Sequence, residues 1–256
     1  MPLSCWPETV LLHSVLSEAE CRGIIDLLVS TKGFGAGRAI ATGHEDLRKN
    51  EVLVWMAPPS FVDTLWTRIG PELQKRLNGG GRGLNCRMRV YRYERASEFL
   101  PCAFPPVVNC FPCWARTACR LVPRSMCAVP DAACVSASCC VRSHHDGGQL
   151  PSFLSADGCA VREDAAASRS RYSLLLYLNG AAAEADGKAE ISDGDTFGGG
   201  ATALFTSSSP LAQPVRIIPQ VGGGIVFPHG DHPSTLLHAG EAVTSGTKFV
   251  IRTDVF

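Results

Sequence analysis

Four residues stand where metal chemistry can be built. His144-His145-Asp146 puts an imidazole and a carboxylate two positions apart, and Gly147-Gly148 follows. In a strand, residues i and i+2 point to the same side, so such a pair delivers two ligands to one point. His238, in Leu236-Leu237-His238-Ala239-Gly240, supplies a second imidazole from far along the chain. Two imidazoles and one carboxylate bind a ferrous ion on one face and leave positions open for a co-substrate and O2. Lys248 comes ten residues after His238, past a turn at Ser245-Gly246. A lysine there can pair with the far carboxylate of a co-substrate held on the metal.

The pair alone is a weak signal in a chain with 7 histidines, and a second His-x-Asp exists at His229-Gly230-Asp231. Only 25 residues follow Asp231, too few for the strands that a distal ligand requires. His229 and His232 are therefore expected on a solvated loop near the mouth of the site.

Ligands this far apart need a scaffold of many strands. Arg87 to Tyr93 alternates as a half-buried strand does, and further strands are expected over 172–178, 201–205, 215–218, 224–227 and 248–255. Many short strands punctuated by Gly, Pro and Asn/Asp indicate a jelly roll and not a βαβ fold. Before them the chain reads as helical support with strands mixed in. Ser17-Glu18-Ala19-Glu20 is a capping box ahead of Ile24, Ile25, Leu27 and Leu28, a helix ended by Gly33 and Gly35. A second helix begins near Ser60, with Phe61, Leu65, Ile69 and Leu73 on one face. Pro71 is expected to kink or split it. The organisation expected is one domain over 1–256, with a helical support region 1–85 and a jelly-roll core 86–256.

Residues 102–143 break the rhythm. They hold eight of the 12 cysteines and prolines 105, 106, 112, 123 and 130. Cys110 and Cys113 have zinc-ligand spacing, but no second pair matches them. A disulfide knot would need an oxidising compartment. The reading that fits best is an unstructured insertion, either a lineage-specific loop or unspliced intron sequence. Its closure entropy would cost only about 2–3 kcal/mol.

Composition narrows the partners. Lys+Arg and Asp+Glu both number 24, so nothing asks for nucleic acid or an anionic membrane. No apolar run reaches the roughly 20 residues of a membrane span. The first residues lack a signal-peptide pattern, so the cytosol or nucleus is expected, or the endoplasmic reticulum if the N-terminus is incomplete.

Taken in order, the motifs resemble the prolyl 4-hydroxylase group of Fe(II)- and 2-oxoglutarate-dependent dioxygenases. They are Gly83-Leu84-Asn85 before Arg89-Val90-Tyr91-Arg92-Tyr93, then His144-His145-Asp146-Gly147, then Arg171 to Asn179. Gly199-Gly200-Ala201-Thr202, Pro219 and Gly222 to Phe227 come next, then His238 and Gly246 to Asp254. The resemblance covers nearly the whole chain except 102–143, whose removal would join Phe99-Leu100-Pro101 to His144. It implies a double-stranded β-helix with His144, Asp146 and His238 as catalytic iron ligands. Lys248, Tyr177, Tyr93 and Thr202 would line the 2-oxoglutarate pocket, and L-ascorbate would keep the iron reduced. Arg171 is a candidate for gripping substrate. Phe99 replaces a tyrosine found in some members, and Ala201 a common glutamate.

The activity implied is hydroxylation of a peptide or protein substrate, foremost at proline, with release of succinate and CO2. Two alternatives stay open. One is oxygenation of another side chain or a small molecule. The other is a non-catalytic peptide-binding module whose site the insertion has disrupted.

Overall fold

The computed structural model describes residues 6, 8–31, 33–36, 50–78, 81–94, 146–154, 161–163, 167–182, 196–205 and 214–256. His144, Phe99 and the segment 102–143 lie outside the described residues, and so do the zinc and disulfide readings of that segment.

A large antiparallel sheet carries the molecule. Its strands lie in the order β1 (Val10–Leu12), β12 (Gly224–Pro228), β7 (Tyr172–Tyr177), β15 (Thr247–Val255), β4 (Arg87–Glu94), β3 (Asn50–Met56) and β2 (Gly35–Ala36). Facing it is a smaller sheet ordered β11 (Val215–Ile217), β10 (Thr202–Phe205) and β13 (Leu237–Gly240). A third group, β14 (Val243–Ser245), β9 (Thr196–Gly199) and β8 (Gly180–Ala181), closes one end. A hairpin of β5 (Ser152–Leu154) and β6 (Val161–Glu163) stands apart.

The chain crosses repeatedly between the two facing sheets, from β7 to β10 and β11, back to β12, over to β13 and back to β15. Neighbours in the large sheet are therefore distant in sequence. That is the double-stranded β-helix form of a jelly roll, as expected, with mainly β content and, among the described residues, two N-terminal helices.

Period-2 alternation divides the large sheet's side chains between two cores. On the outer face, Met88, Val90, Leu174, Leu176, Val226, Ile251 and Val255 pack under the helices. On the inner face, Tyr177, Ile225, Phe227 and Val250 meet Leu204 and Ile217 of the small sheet. Because β7, β12 and β15 are covered on both sides, β12 and the centres of β7 and β15 read as apolar runs.

Helix α1 (Glu18–Ser30) starts at the expected capping box. The Glu20 amide donates to Ser17 Oγ at 3.2 Å, and the Ser17 amide donates to Glu20 Oε2 at 2.8 Å. Helix α2 (Pro59–Arg76) runs unbroken through Pro71, contrary to the expected split. The reason is tertiary. Val62, Leu65, Ile69 and Leu73 are buried against the sheet on both sides of the proline, and their packing holds the turns together. Residues 1–85 also supply β1, β2 and β3 to the large sheet, and so contribute more than helices. Among the described residues, no helix is long and apolar enough to cross a membrane.

Candidate metal and co-substrate site

On the inner face of the large sheet, β15 places Lys248, Val250, Arg252 and Asp254 in one row, because alternate residues share a side. All four are buried. Two of these charges face one end of the barrel and one faces the other, which gives the site two halves.

The first half holds Asp146 and His238. His238 sits on β13 beside Leu204, its ring packed 4.7 Å from that of Phe227. Its Nδ1 lies 3.3 Å from the Leu236 carbonyl. A proton on Nδ1 can donate there, the arrangement usual for an imidazole that binds metal through Nε2. Nε2 faces Asp146 Oδ2 at 3.5 Å. Two ligands set at a right angle on one ion, each about 2.1 Å from it, stand about 3 Å apart, so this pair fits a shared cation. Among the described residues, no three His, Cys, Asp or Glu side chains converge as a metal cluster. The pair leaves a third ligand to be supplied, and His144 is the sequence candidate for it.

Around Asp146 is a polar shell. Ser173 Oγ donates to Oδ2 at 2.6 Å and Arg252 Nε donates at 3.0 Å. Arg252 also reaches Ser173 Oγ at 3.3 Å and Asp254 Oδ1 at 3.4 Å. The segment carrying Asp146 is fastened mainly from its downstream side, with Arg89 Nη2 reaching Gln149 Oε1 at 3.4 Å from upstream. The Gly230 amide donates to the Asp146 carbonyl at 2.8 Å, the Gln149 amide to Ser170 Oγ at 2.8 Å, and the Ser170 amide to the Gln149 carbonyl at 2.8 Å.

The second half surrounds Lys248. Its Nζ donates to the Gly200 carbonyl at 2.6 Å and lies 5.5 Å from the Tyr177 ring, 5.7 Å from Tyr93 and 6.0 Å from Phe197. Tyr93 is its register partner on β4, and Val250, two residues on, pairs with Tyr177 on β7. The Tyr177 hydroxyl is 2.8 Å from Thr202 Oγ1. Gly200 has φ +67°, and a Cβ there would press on the Phe197 ring at 2.8 Å and on Lys248 Cδ at 3.2 Å. Burial pushes the Lys248 ammonium down to about 7. An ammonium in an aromatic cage, with donors to spare beyond one carbonyl, is a fitting partner for a carboxylate.

The residues nominated from sequence thus fall into two described groups. Asp146 and His238 meet, and so do Lys248, Tyr93, Tyr177 and Thr202. Arg171 is exposed just before β7, and Ala201 is fully buried.

One expectation is corrected. His229 and His232 are not on a solvated loop; they are 1% and 4% exposed. His229 lies between Ser170 and Ser173, with its nitrogens 3.0 and 2.9 Å from the two hydroxyls. His232 Nε2 is 3.0 Å from Glu8 Oε2, and its Nδ1 accepts from the Ser234 amide at 3.1 Å. The length of chain after Asp231 excludes a distal ligand but does not decide burial, and the wall of the barrel needs these side chains.

Sequence reasoning gave no role to Ser173, His229, Arg252 or Asp254. The signal was present in β15, where charges at 248, 252 and 254 share the parity of an otherwise apolar strand.

No family model and no curated protein sequence matches the chain. Solved structures do. A viral collagen prolyl hydroxylase from Paramecium bursaria Chlorella virus-1, in its 2OG complex, matches at 16% identity and TM-score 0.48, covering 99% of this chain and 98% of the other. A Pseudomonas putida prolyl-4-hydroxylase matches at 13% identity and TM-score 0.49, covering 97% and 92%. A Trichoplax adhaerens prolyl hydroxylase, in complex with a hypoxia inducible factor peptide fragment, matches at 13% identity and TM-score 0.49, covering 97% and 83%. Along nearly its whole length, this chain is similar to solved prolyl hydroxylases, the group its motifs resemble.

Proposed function

We propose that this chain is an Fe(II)- and 2-oxoglutarate-dependent dioxygenase that hydroxylates a peptide or protein substrate, foremost at proline. The observation that carries the reading is the approach of His238 Nε2 to Asp146 Oδ2 at 3.5 Å, on the face that also buries Lys248. An imidazole and a carboxylate at that spacing can share one cation.

In this reading Asp146, His238 and His144 hold the iron. Lys248 pairs with the far carboxylate of 2-oxoglutarate, and Tyr93, Tyr177 and Thr202 shape the pocket around it. Bound iron and co-substrate supply oxygen activation, with loss of CO2 and succinate. The chain's own part is to orient and to exclude water. The Tyr177–Thr202 bond closes the pocket between the sheets, and Phe197, Phe227 and Leu204 keep its walls dry.

The test is succinate formation with Fe(II), 2-oxoglutarate, ascorbate and proline-rich peptides, run on the full chain and on one lacking 102–143. Peptide-dependent succinate that disappears in Asp146→Asn and His238→Ala is expected. Turnover by neither form of the chain sinks the reading. Succinate formed only with non-prolyl peptides or small molecules keeps the reaction and replaces the substrate.

A further inference from the structure

His229 has no part in the metal or co-substrate reading, yet both of its nitrogens are engaged inside the barrel. The hydrogen bonds around it run in only one direction. A carboxylate accepts and does not donate, so the single proton of Ser173 Oγ points at Asp146 Oδ2, 2.6 Å away. Ser173 Oγ can then only accept from the imidazole at 2.9 Å, which puts a proton on His229 Nδ1. In the neutral ring Nε2 is bare, and it accepts from Ser170 Oγ at 3.0 Å. Ser170 Oγ in turn accepts from the Gln149 amide at 2.8 Å. Each group in the chain donates once and is satisfied. The other tautomer would set the Nδ1 lone pair against Ser173, or would turn the Ser173 proton away from Asp146.

Backbone contacts hold the ring in this place. The His229 amide donates to the Arg171 carbonyl at 2.8 Å, and the next amide, of Gly230, donates to the Asp146 carbonyl at 2.8 Å. Gly230 has φ +60°, and a Cβ there would strike the Gly148 amide nitrogen at 2.8 Å, so the two loops lie flush. Burial first, and then the Arg252 charge, push the imidazole down to about 4, which keeps the ring neutral. Asp146 pulls the other way and His238 adds to the lowering. Asp254, 3.9 Å from Nδ1, faces it as well.

We propose that His229 is a positioning residue for Asp146. As the neutral Nδ1–H tautomer it commits the Ser173 proton to Oδ2 and so fixes the carboxylate toward His238. This rests on the reading of Asp146 and His238 as metal ligands, and it adds a residue that touches neither metal nor substrate.

Two measurements on the full chain test it. The first is 15N NMR of histidine-labelled protein at pH 7 without metal, the His229 signal being identified by its loss in His229→Asn. A protonated Nδ1 with an unprotonated Nε2 is expected. The opposite tautomer, or an imidazolium, overturns the relay.

The second is Mn(II) affinity of the metal-free protein. His229→Leu is expected to bind about 10–100-fold more weakly. His229→Asn, whose amide N–H takes the place of Nδ1–H, is expected to recover affinity to within a few-fold of the parent. Adding Ser173→Ala to His229→Leu should weaken binding no further. Equal losses in the Leu and Asn variants, or losses that add between 229 and 173, overturn the proposal. If the parent chain takes up no Mn(II), the dioxygenase reading fails and the metal arm falls with it, whereas the NMR arm still decides the relay.

Discussion

The Tyr177 hydroxyl and Thr202 Oγ1 meet at 2.8 Å, and in doing so join the large sheet to the small one. Burial holds the phenol well above its ordinary range, so the hydroxyl keeps its proton at any working pH. Tyr177→Phe leaves Thr202 without that partner in a buried place. A loss of about 1 kcal/mol is expected in urea unfolding, with the m-value unchanged. If the pocket binds 2-oxoglutarate as proposed, KM for it rises several-fold in the same variant while kcat changes less. A variant with normal stability and normal KM removes Tyr177 from the pocket.

Lys248 makes co-substrate binding depend on pH. In the free protein its ammonium titrates near 7, because burial disfavours the charge. A bound dicarboxylate favours the charge and raises that value. Above about pH 7, binding therefore takes up a proton, and 2-oxoglutarate affinity falls with rising pH, by up to about tenfold per unit. Isothermal titration between pH 6.5 and 9 reads this directly, and a flat profile sinks it.

The same burial affects stability. The unfolded lysine titrates near 10.5, so between about 7 and 10.5 the unfolded chain holds more protons than the folded one. Stability thus rises with pH across that window, and the penalty is present in full below it. Lys248→Met is expected to gain about 1–3 kcal/mol at neutral pH and to lose 2-oxoglutarate binding.

Two buried imidazoles set the acid limit. Both His229 and His232 are pushed below the ordinary value of 6.5, by burial first in each case. The unfolded chain then binds protons that the folded one refuses. Their contribution is complete above pH 6.5 and is lost as pH falls, for His229 down to about 4. Glu8 works in the same direction. Burial opposes its charge, but hydrogen bonds from Tyr172 and the Asn78 amide outweigh that and hold it below its ordinary value. Thermal unfolding monitored from pH 7.5 to 4 should show a steep fall in Tm, shallower in His229→Asn. Equal slopes in the two proteins contradict the assignment.

Gly222 is a point where backbone alone decides. It has φ +70°, and its carbonyl accepts from the amides of both Val15 and Leu16, at 2.8 and 3.1 Å. A Cβ there would run into the Leu16 carbonyl. Gly222→Ala is expected to destabilise the chain by about 3 kcal/mol, seen as a lower denaturant midpoint. A midpoint within error of the parent shows that the N-terminal segment can shift without loss.

The strands of the barrel were legible because most are short apolar runs bounded by turn residues, and β4 because its side chains alternate. β4, β7, β10, β11, β12 and β15 lie within one or two residues of their expected ends. Strands were expected among the N-terminal helices, but β1 and β3 could not be given bounds, because they alternate weakly and their burial depends on partners far away, β12 and β4. Pro71 does not split α2, because the rule against proline in helices is local and four buried side chains hold the turns on both sides of it. At the site, motif spacing found Asp146, His238 and Lys248. It gave no role to Ser173 and His229, because serine and histidine near turns usually face water. Only their convergence from β7 and the loop after β12 makes them partners of a carboxylate.

The segment from Asp146 to Gln149 takes most of its hydrogen bonds from residues further along the chain. Gly230, Ser170, Ser173 and Arg252 all grip it from that side. Arg89, on β4, reaches it from the other side, with Nη2 3.4 Å from Gln149 Oε1. The clasp on this short segment is thus drawn from β4, β7, β15 and the turn after β12, and the place of the carboxylate is set by the sheet as a whole.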